Sequence, residues 1–268
     1  MKCVKVGPLV VGVIRRPIRL YFCFRLAGFR MSNYPRWYKD SLHTYMVTRG
    51  RQNEFPVDDS CPFLEDRGVS AGNVGSDYFL QDIYMAQQIF RNNPNKHVDI
   101  GSRVDGFVAH VATFREIELF DIRPICNNIK NISFKQADIM DETSIPSNYC
   151  DSISSLHVIE HIGLGRYGDR IDPEGHIVAF QNIAKILKPG GLFYFSVPMG
   201  RQRVEFNGQR VFGIRYLLRW VSLDFEIKSF AYIDDANILH TDSDYHSEAA
   251  KDSFGCETGC ALFVLRKK

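Results

Sequence analysis

The chain lacks the glycine fingerprint of a dinucleotide-binding loop: G-x-G-x-x-G is absent, and the nearest stretch reads G-S-R-V-D-G over 101–106. A pyrophosphate is hard to cradle there, and Asp105 would repel it. No C-x-x-C occurs among the seven cysteines, and Cys256-x3-Cys260 alone is too little for a zinc site. Scattered and odd in number, they fit reduced thiols of a cytoplasmic protein. No run reaches the roughly 18 consecutive apolar residues of a membrane span. Val6–Ile14 is short, contains Pro8 and runs into Arg15-Arg16 without a small-residue cleavage site, which argues against a secretory leader. Internal repeats and low-complexity tracts are also missing.

Acidic residues are missing from one region. Residues 1–39 hold nine Lys or Arg and no Asp or Glu, whereas the rest of the 268-residue chain carries 24 basic against 31 acidic residues. Such an arm is suited to an anionic surface. VIRRPIRLYFCFRLAGFR (13–30) mixes Arg with large apolar side chains. It either contacts a membrane peripherally or packs on the main domain, and both readings stay open. Residues 1–75 read as a basic, loop-rich extension, and 76–268 as one α/β domain.

In that domain apolar runs alternate with helical patterns. Ser76 or Asp77 caps a helix to about Asn92, with Phe79, Ile83, Ala86 and Phe90 on one face. Strands are expected at His97–Ile100, Ile117–Phe120, Ile132–Gln136, Ser152–Leu156 and Leu192–Val197. Helices are expected at Gly106–Thr113 and Pro173–Leu187, the latter with Pro173 in its first turn and Gly190-Gly191 at its end. RVEFNGQRVF (203–212) reads as a β-hairpin on a two-residue Asn207-Gly208 turn. A helix over 213–222 and strands at Glu226–Ile233 and Ala261–Leu265 complete the domain. Strand–helix alternation predicts a Rossmann-like, mostly parallel seven-stranded sheet with helices on both faces.

Ligands of such sheets bind beyond the carboxyl ends of the strands. Asp99, Gly101, Ser102 and Arg103 follow strand one, and Gly101 allows close backbone approach. Asp121 and Ile122 end strand two, 22 residues on from Asp99, where an acid accepts from ribose hydroxyls. Asp138 and Ile139 follow strand three, a carboxylate for an adenine amino group and an apolar wall for its ring. This ordered acid series, without a phosphate loop, favours the positively charged sulfonium of S-adenosylmethionine over a dinucleotide.

After strand four comes His157-x-x-Glu160-His161, the H-x-x-E-H of inverted zinc peptidases. That motif needs a helix presenting both histidines, and here it starts at a strand end, so a cofactor-site wall is expected rather than a metal centre. His161 or Glu160 is the candidate general base. In GLGRYGD (163–169), Arg166, Tyr167 and Asp169 are placed to hold a hydroxylated or anionic acceptor; alternatively Arg166 pairs with Asp169 in a structural loop. Arg201, Arg203, Arg210, Arg215 and Arg219 form either a phosphate-binding cluster or a solvated basic face.

Residues 97–198 resemble class I S-adenosylmethionine-dependent methyltransferases. More closely, HVDIGSRVDGFVAH (97–110) with SLHVIEHIGLGRYGD-x-IDPEGH (155–176) resembles a family of uncharacterised proteins often met near polysaccharide-biosynthesis genes, over about residue 76 to the C-terminus. The resemblance implies a cofactor pocket at Asp99, Gly101, Asp121, Asp138 and Leu156–His157. It further implies O-methylation of a sugar or glycan intermediate, with a small-molecule or glycan partner and no nucleic acid. Arg103 and Asp105 stand where common methyltransferases have glycines; Ser102, Arg103 and Asp105 are expected to pair and close the turn instead. The alternatives are a non-catalytic binding or scaffold protein of glycan assembly and a dinucleotide-dependent sugar-modifying enzyme.

Overall fold

The first described helix, α1 (Asp77–Asn92), begins where its cap dictates: the Ser76 side chain accepts from the Phe79 backbone N–H. It ends at Asn93, whose φ of 39° breaks the helical path. The computed structural model describes residues 70–268, apart from 73, 126, 127 and 207. The expectations for residues 1–39 and nearly all of the loop-rich extension lie outside the described residues. The apolar face of α1 differs from expectation. Gln81, Asp82, Met85, Ala86 and Ile89 are buried, and Phe90 is exposed. Gln81 is drawn inward as an acceptor for the Ser196 hydroxyl (2.5 Å), which rotates the buried stripe.

The sheet comprises β1 (His97–Ile100), β2 (Ile117–Asp121), β3 (Ile132–Gln136), β4 (Cys150–Leu156), β5 (Leu187–Met199), β8 (Phe225–Ile233), β9 (Leu239–His240) and β10 (Gly259–Lys267). Their order is β3-β2-β1-β4-β5-β10-β8-β9. The β3-β2-β1-β4-β5 pairs are parallel, and β10 runs antiparallel between β5 and β8. The expected Rossmann-like α/β sheet is present, with the two-residue β9 as an added eighth strand. Helix α2 (Ala109–Ala112), entered through a wide turn over 104–108, shares one face with α1. Helices α3 (Gly175–Ile186) and α4 (Ile214–Asp224) cover the other, where Phe180 and Trp220 pack edge-on at 4.4 Å. With both faces covered, β1 and β4 are almost wholly buried.

Several boundaries shift; the expected Gly106–Thr113 helix, for one, is regular only over Ala109–Ala112. Helix α3 starts at Gly175, two residues past Pro173, and strand β5 takes over at Leu187, so Gly190-Gly191 lie within a strand. The hairpin β6 (Arg203–Glu205) and β7 (Gln209–Val211) closes over a three-residue loop, 206–208, because Glu205 pairs with Gln209. The hairpin is fastened by Arg210. Its backbone N–H donates to Glu160 O (3.0 Å), and its buried guanidinium donates to Ile162 O (2.6 Å) and Pro173 O (3.3 Å).

A candidate active site at the carboxyl ends of β1, β2 and β4

Chain direction reverses its winding between β1 and β4, and the crevice expected at such a switch point is there. The turn after β1 passes through Gly101 at φ 68°, where a Cβ would stand 2.9 Å from Val158 Cγ1. Asp99 lies below this turn, fully buried. It accepts from the Ser102 N–H (2.9 Å), the Ser102 hydroxyl (2.7 Å) and the Ser154 hydroxyl (2.5 Å). Burial pushes its carboxyl up to about 7, against these hydrogen bonds. Asp99 and Ser102, expected at the cofactor, therefore hold the turn together and do not line the cleft. Arg103 does line it; it pairs with Asp105 at 3.2 Å and lies 5.3 Å from the Tyr78 ring. The expected pairing within the turn is thus Arg103 with Asp105, and Ser102 with Asp99.

The cleft encloses about 180 Å³. Asp121 and Ile122 from the end of β2 and Asp138 and Ile139 from beyond β3 form one wall, joined by Phe120 and Ala137. Asp121 is already engaged. Arg123 donates to it through its backbone N–H (2.8 Å), Nε (3.1 Å) and Nη2 (2.9 Å). Asp138 accepts from the Met140 N–H through one carboxylate oxygen (2.9 Å).

The segment after β4 supplies the opposite wall. His157 adopts φ 52°, a conformation that costs a side-chain-bearing residue about 1 kcal/mol. Its ring lies beside Tyr78, its Nδ1 is 2.9 Å from Glu160 Oε1, and its buried Nε2 has no hydrogen-bond partner among the described residues. Burial opposes a charge on this ring, but Cys260 and Glu160 overcome that and hold it well above the usual histidine range. Glu160 is fully buried, its Oε2 unpartnered, and does not reach the cleft. Its expected place as a base in contact with substrate is therefore corrected. His161 does line the cleft. Its Nδ1–H donates to the Gly208 carbonyl at the hairpin tip (2.7 Å), so in the neutral ring Nε2 carries the lone pair. Burial holds His161 below the usual histidine range.

GLGRYGD closes on its own aspartate. Asp169 accepts from the backbone N–H groups of Gly163 (2.7 Å), Gly165 (3.2 Å) and Tyr167 (3.1 Å). Gly163 has no alternative, since a Cβ there would meet Asp172 O at 2.1 Å. Arg166 is exposed, does not line the cleft and does not pair with Asp169; it donates to Gly208 O (2.8 Å). Tyr167 stands at the cleft with Arg123 at 4.4 Å and Arg166 at 5.2 Å from its ring, and meets His161 edge-on at 5.5 Å.

Among the sequence candidates, the fold gathers Gly101, Arg103, Asp121, Ile122, Asp138, Ile139, His157, His161 and Tyr167 at one cleft. Tyr78, Arg123 and Val158 join them unannounced. Arg123 had a readable signal: it stands two residues after a strand-end acid, a spacing that Arg103–Asp105 and Arg203–Glu205 also use to pair. Three of the five hairpin arginines are engaged within the protein. Arg210 is buried on carbonyls, Arg203 pairs with Glu205, and Arg219 lies 5.4 Å from the Tyr216 ring.

Solved structures similar to this chain include the N-methyltransferase NodS from Bradyrhizobium japonicum WM9 in complex with S-adenosyl-L-homocysteine. It is 15% identical, with 70% of this chain and 87% of that chain covered, at a TM-score of 0.46. A putative sarcosine dimethylglycine methyltransferase from Galdieria sulphuraria is 13% identical, with 70% and 84% covered, at 0.48. The Burkholderia thailandensis 1,6-didemethyltoxoflavin-N1-methyltransferase is 12% identical, with 73% and 81% covered, at 0.47. No curated protein matches the sequence. The model of one family matches residues 109–267, more than half of the sequence, and on that match the chain belongs to the family described as Caenorhabditis protein of unknown function, DUF268.

Proposed function

We propose that this protein is an S-adenosylmethionine-dependent methyltransferase acting on a hydroxyl group of a sugar or glycan intermediate. The observation that carries the reading is His161. Its Nδ1–H is committed to the Gly208 carbonyl and its Nε2 is free of hydrogen bonds among the described residues, on the wall of a switch-point cleft. A hydroxyl acceptor must lose a proton as it gains a methyl group, and a neutral imidazole with a fixed tautomer is suited to take it.

The cleft residues fit the cofactor. Ile122, Ile139, Phe120 and Ala137 give an apolar slot for a purine, and Asp138 keeps one carboxylate oxygen free of hydrogen bonds. Asp121 receives three donors from Arg123, and a carboxylate has about four acceptor sites, so one site on Oδ2 remains for a ribose hydroxyl. The Arg103 guanidinium at the edge suits an α-carboxylate. When bound, the cofactor supplies an electrophilic methyl group on a sulfonium. The protein's own part is to orient the acceptor between Tyr167 and His161 and to hold its proton on His161 Nε2. Glu160 acts through His161, without contact with the substrate.

Calorimetry with S-adenosylmethionine and S-adenosylhomocysteine tests this reading. Binding is expected, with a loss of about tenfold or more in Asp121→Ala, the size of a lost charge-assisted hydrogen bond. A chain that binds neither, or an Asp121→Ala variant that binds equally well, sinks it. The occupancy of Asp121 by Arg123 favours a second reading, a non-catalytic glycan-binding protein. Glycan binding without any binding of the sulfonium cofactor would select that reading. Saturable NAD binding alone would select the dinucleotide-dependent one.

A further inference from the structure

We propose that Glu160 and His157 form a buried charge pair whose task is to tune His161, with Glu160 as a positioning residue that steadies the proton His161 takes up. The proposal rests on the reading of His161 as proton acceptor. Glu160 is wholly buried, yet among the described residues only one of its oxygens is satisfied. That oxygen, Oε1, lies 2.9 Å from His157 Nδ1 and 3.6 Å from His161 Nε2. One carboxylate thus stands between two imidazoles.

The balance follows from charge. At rest Cys260 and Glu160 hold the proton on His157, against its burial, and burial keeps His161 neutral. When the acceptor proton moves to His161 Nε2, the new cation finds the carboxylate 3.6 Å away. Without His157, Glu160 would attract that proton too early; without Glu160, His161 would take it reluctantly. The left-handed backbone of His157 fits this role, since strain retained at a cleft is a signature of a group held for use. Other charged or titratable groups face the trio. They are Asp77, Tyr78 and Asp82 from α1, Cys260 from β10, Arg166 and Tyr167 from the GLGRYGD loop, and Arg210 from β7. Asp77 lies 3.8 Å from His157 Nε2 and leaves that nitrogen without a hydrogen bond among the described residues.

The test is an NMR titration of the histidine side-chain nitrogens in the full chain without cofactor. Glu160→Gln should lower the His161 midpoint by about one pH unit or more, His157→Gln should raise it by a similar amount, and Glu160→Asp should restore most of the loss. A folded Glu160→Gln variant whose His161 titrates as in the wild type overturns the proposal. Should that variant not fold, His157→Gln decides alone, and an unchanged midpoint has the same consequence. Failure of the cofactor to bind in calorimetry would sink the methyltransferase reading and leave this coupling measurable, so the two failures are distinguishable.

Discussion

After β1 the chain turns through Gly101 at φ 68°, and after β4, the neighbouring strand, it turns through His157 at φ 52°. Each turn buries a carboxylate completely, Asp99 in one and Glu160 in the other. Asp99 receives three donors within 2.9 Å, whereas Glu160 keeps one oxygen unpartnered beside a second unpartnered atom, His157 Nε2. Native structures satisfy nearly all buried polar groups, so the satisfied acid is explained by folding alone and the unsatisfied one is not. The comparison separates a carboxylate that builds the cleft from one that serves it.

The sharpest way to break this comparison is to remove each acid. Asp99→Ala strands two hydroxyls and a backbone N–H, and should cost about 4 kcal/mol in urea unfolding. Glu160→Gln keeps the shape and lets His157 become neutral, and should change stability by less than about 1 kcal/mol while slowing any methyl transfer about tenfold. Equal stability losses would show that both acids are structural.

A second test exploits the neighbour of Asp99. His97 is buried between Ser152 and Ser154, and Ser154 also donates to Asp99. Burial lowers His97 to about 3 and raises Asp99 to about 7. The raised acid contributes stability that is present below its unfolded value near 4 and lost as pH rises through 7. The depressed histidine contributes stability that is present above about 6.5 and lost as pH falls toward 3. Between about pH 4 and 6.5 the folded chain has in effect moved one proton from His97 to Asp99, and the two slopes cancel. These two groups should therefore add no net slope there, leaving the rise with pH that His176, lowered by burial to about 4, contributes. Relative to wild type, Asp99→Asn should add a rise with pH and His97→Gln a fall, each of about 3 kcal/mol across the window by denaturant titration. Slopes shifted from wild type in the same direction in the two variants would refute the pairing.

The smallest effect concerns the turn itself. Gly101→Ala places a Cβ at positive φ and against Val158, and should cost about 2 kcal/mol while leaving the titration of His161 unmoved. A changed His161 midpoint in that variant would mean that the two turns are not independent.

Much of the architecture is legible in the residues because it follows from local patterns. Ser76 is a helix cap by its chemistry, and β1 and β3 keep their expected bounds because buried apolar runs and turn residues delimit them. The errors arise where tertiary contacts outvote local preference. Periodicity favoured Phe90 for the buried face of α1, but Gln81 and Asp82 turn inward. Asn207-Gly208 favoured a two-residue turn, and the pairing of Glu205 with Gln209 imposes a longer one. At the site, the acids after β2 and β3 were readable from strand ends, as was His161 from its motif. That Asp99 lies under the cleft while Asp121 faces it was not readable, because both are aspartates at the end of a strand. Only the hydroxyls of Ser102 and Ser154, one of them distant in sequence, distinguish them.

The atom that fixes the tautomer of His161 is a main-chain carbonyl, that of Gly208. A side chain in that role would be lost by a single substitution, but a carbonyl is carried by every amino acid. The hairpin is therefore free to drift in sequence, and its exposed Phe206 is replaceable without disturbing the imidazole. What it is not free to change is its length. A residue gained or lost between Glu205 and Gln209 would move the carbonyl away from His161, so related chains that keep the histidine should conserve the span of this loop more strictly than its letters.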